Sequence, residues 1–171
     1  MKQYKDFVTE IKSTADPSHW DWIEKTTSMW YARYYLYDID LGIEQSGGIR
    51  IDGKLQQVWQ VGFQRGGKWS VTGEGDAKMI FAWVIERVLD FMKTNPRVIR
   101  FTSDKGDSTR GKLYDTLVRI VGKKLKNHYP CEIPESEYKN KKGKPYFIVH
   151  KDLKDHPDLK DQLIKYNNQF S

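Results

Sequence analysis

The segment from Thr72 to Ala77, Thr-Gly-Glu-Gly-Asp-Ala, stands where a predicted strand gives way to a long predicted helix. Glycines at such a junction let the backbone approach a ligand closely, and the first N–H groups of the helix have no intrahelical partner. Both features suit a phosphate or pyrophosphate. The segment lacks the third glycine of a dinucleotide fingerprint and the Gly-Lys-Ser/Thr of a Walker loop. A plain tight turn capped by Asp76 is the alternative interpretation.

Other residue types that support catalysis are present without the spacing that catalysis needs. His19, His128, His150 and His156 have no metal-ligand spacing, and the single cysteine, Cys131, cannot complete a zinc site. We therefore expect no bound metal. No nucleophile-elbow pattern surrounds a serine, so a catalytic triad is not indicated either.

Hydrophobic periodicity predicts the elements that position these residues. Alternating or β-prone segments predict strands over residues 30–39, 49–51, 57–64, 69–72, 98–102 and 146–150. Helical spacing predicts helices over residues 4–11, 77–93, 113–121 and 157–166. Antiparallel strands followed by an alternation of helix and strand indicate a mixed sheet.

The predicted fold class is therefore α/β (α+β), a single domain with a mixed, mostly antiparallel sheet and helices on both faces. The domain spans residues 1–171, with a core of residues 1–150 and a C-terminal helical extension of residues 151–171. The strand Val98–Thr102 is expected to lie parallel to Trp69–Thr72, joined to it by helix 77–93. The side chains expected to be mostly buried are Trp59, Val61, Phe63, Phe81, Val84, Ile99, Phe101, Leu113 and Leu117.

This order of elements resembles that of the GNAT superfamily of acyl-CoA-dependent N-acyltransferases. The likeness rests on the meander, the Gly-x-Gly turn and a later helix with the pair Leu113-Tyr114. It covers roughly residues 1–150 and implies a GNAT-like fold, acetyl-CoA or a similar acyl-CoA, and an amine acceptor. The resemblance implies that Tyr114 protonates the leaving thiolate. It also implies that the pyrophosphate of CoA is held by Val71, Gly73, Gly75, Asp76, Ala77 and Lys78.

The same residues leave alternatives open. Tyr114 can equally be a half-buried helix tyrosine that packs beside Leu113 and Leu117. The chain is also similar to short uncharacterised tailed-phage proteins that have a Thr-Gly-x-Gly-Asp/Asn-Ala segment and a later Arg-x-x-x-Leu-Tyr helix. That second resemblance implies no activity.

The loop departs from the family's pattern in its charges. Ser70 stands three residues before the first glycine, where the family usually has Gln or Arg. Glu74 and Asp76 would repel phosphates, and only Lys78 offsets them. These departures favour the alternative function, a catalytically inactive GNAT-like phage protein that binds a host protein or a nucleic acid.

A general base is also missing from the expected place. No Asp or Glu occurs between Lys54 and Gly73. The nearest acids are Asp38, Asp40, Glu44 and Asp52, of which we expect Glu44 and Asp52 to lie in turns.

The positive charge is concentrated in one part of the chain. Lys plus Arg number 29 and Asp plus Glu number 23, a formal charge of +6. Residues 96–151 alone hold 14 basic and 6 acidic residues, a balance of +8. Such a surface can bind a polyanion, and it can equally be a solvated helix end and loop.

Composition limits the class of protein. An aromatic share of 13% and a length of 171 residues indicate one folded domain. One cysteine, no apolar run of membrane-spanning length and no apolar stretch behind the N-terminus predict a cytoplasmic protein, in the host cytoplasm if phage-encoded. We expect no membrane partner.

Overall fold

Strands and helices follow the predicted alternation through most of the chain. The computed structural model describes residues 22–35, 38–65, 77–104, 108–137 and 143–169. The strands are β1 (Trp22–Lys25), β2 (Met29–Tyr34), β3 (Ile39–Ile51), β4 (Lys54–Arg65), β5 (Val98–Asp104), β6 (His128–Cys131) and β7 (Gly143–His150). The helices are α1 (Ala77–Met92), α2 (Ser108–Lys124) and α3 (Leu159–Gln169), with one 3₁₀ turn over Glu135–Glu137. None of these described helices is long and apolar enough to cross a membrane.

The seven strands form one mixed sheet in the order β1-β2-β3-β4-β5-β7-β6. All neighbours are antiparallel except β4 and β5, which are parallel and joined through α1. This confirms the α+β class, the mixed and mostly antiparallel sheet, and a helix that links two parallel strands.

The parallel partner of β5 is β4. The two strands pair from Val58 opposite Val98 to Val61 opposite Phe101, and the other edge of β5 pairs with β7. The prediction that Trp69–Thr72 lies parallel to Val98–Thr102 falls outside the described residues, as do the predicted helix 4–11 and the glycine segment. The hydrophobic pattern identified the strands but not which of them lie side by side, because alternation defines faces and not neighbours.

The predicted strand 30–39 is instead a hairpin. β2 ends at Tyr34 and β3 begins opposite it at Ile39, and Asp38 between them has φ 52°. Trp22 lies in β1, where it pairs with Ala32 of β2. The expected strand 49–51 is the last part of the long strand β3.

The segment Ser46-Gly47-Gly48, whose composition is typical of a turn, forms a bulge inside β3. The register shifts by one residue between the pairs Gln45–Trp59 and Gly48–Gln57, and Gly47 has φ 70°. A side chain at Gly48 would meet the Gln56 carbonyl oxygen at 2.6 Å. Because an extra residue reverses the alternation, the two halves of β3 bury their apolar side chains on opposite faces of the sheet.

Two apolar clusters follow from this reversal. The first lies between the sheet and helices α1 and α2, and includes Leu41, Val61, Phe101 and Leu117. The second lies under α3 and includes Ile49, Val98 and Leu163. The burial prediction is confirmed: Val61, Phe63, Val84, Ile99, Phe101, Leu113 and Leu117 are buried, and Trp59 and Phe81 are partly buried against the first cluster.

Candidate active site

The parallel strands β4 and β5 separate before either of them ends. Their ladder stops at Val61 and Phe101, yet β4 continues to Arg65 and β5 to Asp104. Their outer edges stay paired over this stretch, β4 with β3 and β5 with β7. The two inner edges, residues 62–65 and 102–104, are therefore not paired with each other, and we call this gap the split. Interior backbone groups need hydrogen-bond partners, so the split is suited to a bound ligand.

Two helices begin at the end of the sheet where the split opens. α2 starts at Ser108, four positions after the end of β5, and α1 starts at Ala77 after the chain leaves the end of β4. The N-terminus of a helix carries a partial positive charge and unpaired N–H groups. Ligands of open α/β sheets bind outside the carboxyl ends of the strands for this reason. The arrangement favours an anionic ligand.

Tyr114 packs against the split from the helical side. Its ring centroid lies 5.2 Å from that of Phe101, the last residue of β5 that pairs with β4, and 6.3 Å from that of Phe63, in the part of β4 that no longer pairs with β5. Tyr146 of β7 lies 5.5 Å away on the same side. Tyr114 is only 1% exposed, so it is more deeply buried than the half-buried helix tyrosine of the alternative interpretation.

A polar cluster lies on the opposite face at the same level. Gln60 and Arg100 are a registered pair across β4 and β5, one residue before the split. Arg100 donates to Gln60 Oε1 at 2.8 Å and to Asn167 Oδ1 of α3 at 2.8 Å. Gln60 donates its own Nε2 to the Val61 carbonyl at 3.2 Å, which fixes the orientation of the amide. Burial lowers the pKa of Arg100, which is 6% exposed.

Glycines leave the middle of this polar face without side chains. Gly42 of β3 lies directly opposite Gly62 of β4, and both share the face of Gln60 and Arg100. A Cβ added to Gly42 would lie 3.5 Å from Glu44 Oε1, so the Glu44 carboxylate leans over this glycine floor. Glu44 is exposed and lies in β3, not in a turn as expected, whereas Asp52 does lie in a turn, with φ 50°.

Asp40, the other acid of this face, is already engaged. Tyr31 donates a hydrogen bond to it, and Arg33 lies 3.2 Å from its carboxylate. The hydrogen bond to Asp40 raises the pKa of Tyr31. Glu44 is therefore the better candidate for a group that accepts a proton from a ligand on this face.

The sequence-predicted site residues are only partly placed. Ala77 and Lys78 begin α1, and Tyr114 lies at the split, whereas Val71, Gly73, Gly75 and Asp76 lie outside the described residues. The structure adds residues that sequence reasoning did not assign to the site: Glu44, Gln60 and Thr102. The polar positions Gln60, Gly62 and Gln64, which alternate with Val61 and Phe63, were the signal for this face.

Among the described residues, no group of three or more His, Cys, Asp and Glu side chains could hold a metal ion. No protein-family model, curated protein or solved structure matches the chain. We therefore infer a function from the geometry of the split and the chemistry of its two faces.

Proposed function

We propose that the protein is an N-acyltransferase that moves an acetyl or similar acyl group from acyl-CoA to an amine. The observation that carries the proposal is the split between β4 and β5, with Tyr114 packed against it. A narrow gap between strands suits an extended thioester arm, whose amides can pair with the inner strand edges. The strand order and the helix between the two parallel strands agree with the GNAT-like fold that the sequence resembles.

Each end of such a ligand has a place at the site. The pyrophosphate lies near the start of α1, at Ala77 and Lys78, where the first N–H groups of the helix favour an anion. Val71, Gly73, Gly75 and Asp76 of the same predicted cofactor site lie outside the described residues. The thioester lies in the split between Tyr114 and the glycine floor. The acceptor amine approaches over Gly42 and Gly62.

Proton transfer then has a donor and an acceptor on opposite sides of the sheet. Glu44 accepts the proton of the amine as the nitrogen attacks the thioester carbonyl. Tyr114 donates its hydroxyl proton to the sulfur as the carbon–sulfur bond breaks. Each of these transfers typically contributes about 10²–10⁴-fold to the rate.

Release of free thiol from acetyl-CoA, measured with amine acceptors, tests this function. Tyr114→Phe and Glu44→Gln should each lower kcat at least about 100-fold while the fold, followed by circular dichroism, is retained. Tyr146→Phe is the matched control, since it removes a neighbouring hydroxyl, and it should stay within about 3-fold of the wild type. Absence of thiol release with every acceptor, together with no thermal stabilisation by millimolar acetyl-CoA, would overturn the proposal.

The second candidate function is a catalytically inactive GNAT-like module that binds a nucleic acid or an acidic host protein through residues 96–151. It is favoured by the exposed lysines Lys123, Lys124 and Lys126 at the end of α2. A groove of about 550 Å³ between α2, β6 and β7 adjoins them and is lined in part by Arg119 and Lys144. Binding to DNA or RNA should weaken steeply with salt and be lost in Lys123→Glu/Lys124→Glu. No binding at low salt would leave only a protein partner.

A further inference from the structure

Arg100 is a buried cation with no acidic partner among the described residues. Its side chain contacts only neutral groups there: the amides of Gln60 and Asn167, and the face of the Tyr166 ring, 5.9 Å from the guanidinium carbon. Buried charges in proteins are usually paired, because an unpaired charge loses its hydration without compensation. Arg100 therefore has an uncompensated positive charge beside the split.

Its hydrogen-bonding capacity is also incompletely used. A guanidinium has five N–H groups in a planar fork, and the two amide contacts occupy only part of them. Nε of Arg100 is buried and has no hydrogen-bond partner among the described residues. A carboxylate is the acceptor that matches such a fork, in charge and in bidentate geometry.

Thr102 supplies a second unused donor on the same face. It follows Arg100 by two positions in β5, about 6.6 Å along the strand, at the point where the ladder with β4 has ended. Its hydroxyl oxygen is buried and has no partner among the described residues. Arg100 and Thr102 thus place two unpaired polar groups side by side at the mouth of the split.

We infer that Arg100 and Thr102 form a subsite for the carboxylate of the acceptor, and that the acceptor is a free amino acid. This inference rests on the proposed function, because it names the acceptor of the same site. A carboxylate on Arg100 directs the α-amino group of the ligand over the glycine floor, toward Glu44. Glu44, Gln60 and Arg100 lie in one row across β3, β4 and β5. Arg100 and Glu44 can therefore contact opposite ends of one small ligand, Arg100 its carboxylate and Glu44 its amino group.

The test is thermal unfolding with each of the twenty proteinogenic L-amino acids at about 10 mM, compared with the corresponding amino-acid amides. The amide keeps the shape of the ligand and its amino group but removes the negative charge of the carboxylate. At least one amino acid should raise the unfolding midpoint, and its amide should not. Binding should be weakened at least about 10-fold in Arg100→Gln, and about 5-fold in Thr102→Val, which removes the hydroxyl while keeping the shape.

Thermal unfolding of Arg100→Gln without ligand checks the other role that Arg100 can have, which is to hold α3 on the sheet. For a binding residue the midpoint should change little, because removal of an uncompensated charge and loss of the hydrogen bonds to Gln60 and Asn167 oppose each other. A lower midpoint in this variant, with no response of the wild type to any amino acid, would overturn the inference and make Arg100 structural. Equal stabilisation by amino acids and amides would also overturn it.

The outcomes separate the two proposals. Amino-acid binding without thiol release from acetyl-CoA keeps the carboxylate subsite and removes the acyltransferase. Acyl transfer to amino acids, with the KM for the amino acid unchanged in Arg100→Gln, keeps the acyltransferase and removes the subsite.

Discussion

Arg97 and Arg100 stand three positions apart on the same part of the chain and have opposite surroundings. Arg97, with 35% of its side chain exposed, lies 3.0 Å from the Asp152 carboxylate and donates to Gln56 Oε1 at 3.0 Å. Arg100, 6% exposed, contacts a glutamine and an asparagine but no described carboxylate. The solvated arginine is the paired one, which is the reverse of what desolvation favours.

The two arginines lie at different ends of the β4–β5 ladder: Arg97 directly precedes its first pair, and Arg100 lies one residue before its last pair. At the Arg97 end the strands are paired, and Arg97 contacts both the Asp152 carboxylate and His150 Nδ1. The buried rings of His128 and His150 lie 5.5 Å apart there, and His150 Nε2 has no hydrogen-bond partner among the described residues. At the Arg100 end the strands separate and the charge has no acidic partner among the described residues. The start of the ladder, the closed end, is therefore held by contacts of Arg97 within the chain, whereas beside the split, at the open end, Arg100 Nε and Thr102 Oγ1 have no partner among the described residues.

The largest expected effect comes from giving Arg100 the acid it lacks. Gln60→Glu places a carboxylate where Gln60 Oε1 now accepts from Arg100. We expect the free energy of unfolding to rise by about 1–2 kcal/mol, because a carboxylate replaces a neutral amide as the acceptor from a cation that is already desolvated. Chemical denaturation measures the change. A fall in stability would contradict the view that Arg100 is uncompensated.

The closed end should be the acid-sensitive one. Burial lowers the pKa of His128 and of His150, and nearby Arg97 lowers both further. The unfolded chain therefore takes up protons below about pH 6.5 before the folded one does. This contribution to stability is complete above that pH and is lost as the pH falls below about 6.5, by about 1.4 kcal/mol for each unit by which a pKa is lowered.

Denaturation curves at pH 7.5 and 5.0 measure this loss, and His150→Phe should reduce it. Asp152 is the carboxylate that faces His150, and its hydrogen bond from Arg97 lowers its pKa. It therefore stays ionised between these two pH values and adds nothing to the measured loss of stability. An equal loss of stability in wild type and variant would show that His150 does not contribute to the acid sensitivity.

The smallest effect is expected from the matched change at the closed end. Gln56→Glu adds a carboxylate to Arg97, which already has Asp152 and is partly solvated. The free energy of unfolding should change by less than about 0.5 kcal/mol. A gain as large as that of Gln60→Glu would mean that the two arginines do not differ.

The sequence predicted the helices and strands of this fold better than the way in which they pair and turn. The long helix, the strand Val98–Thr102 and the buried faces of β4 and α2 followed from periodicity, because alternation and helical spacing report which side of an element is apolar. The sequence cannot distinguish the bulge at Gly47 from a turn, since a glycine pair is typical of both.

The candidate site was less accessible to sequence reasoning. The partners of Arg100 are 40 and 67 positions away in the chain, and no local pattern links Gln60 and Asn167 to it. Glu44 was placed in a turn, because the strand that contains it is interrupted by glycines on both sides. Tyr114 came from a resemblance, and its role stays a prediction.

Hydrogen–deuterium exchange with and without acetyl-CoA tests the central claim most directly, because it reports which backbone amides a ligand covers. We expect slower exchange in peptides that contain residues 62–65, residues 102–104 and the first turn of α1, and no change in the paired stretch from Val58 to Val61. Protection confined to the end of α2 around Lys123, or no protection anywhere at millimolar acetyl-CoA, would contradict the claim that the split is an acyl-CoA site.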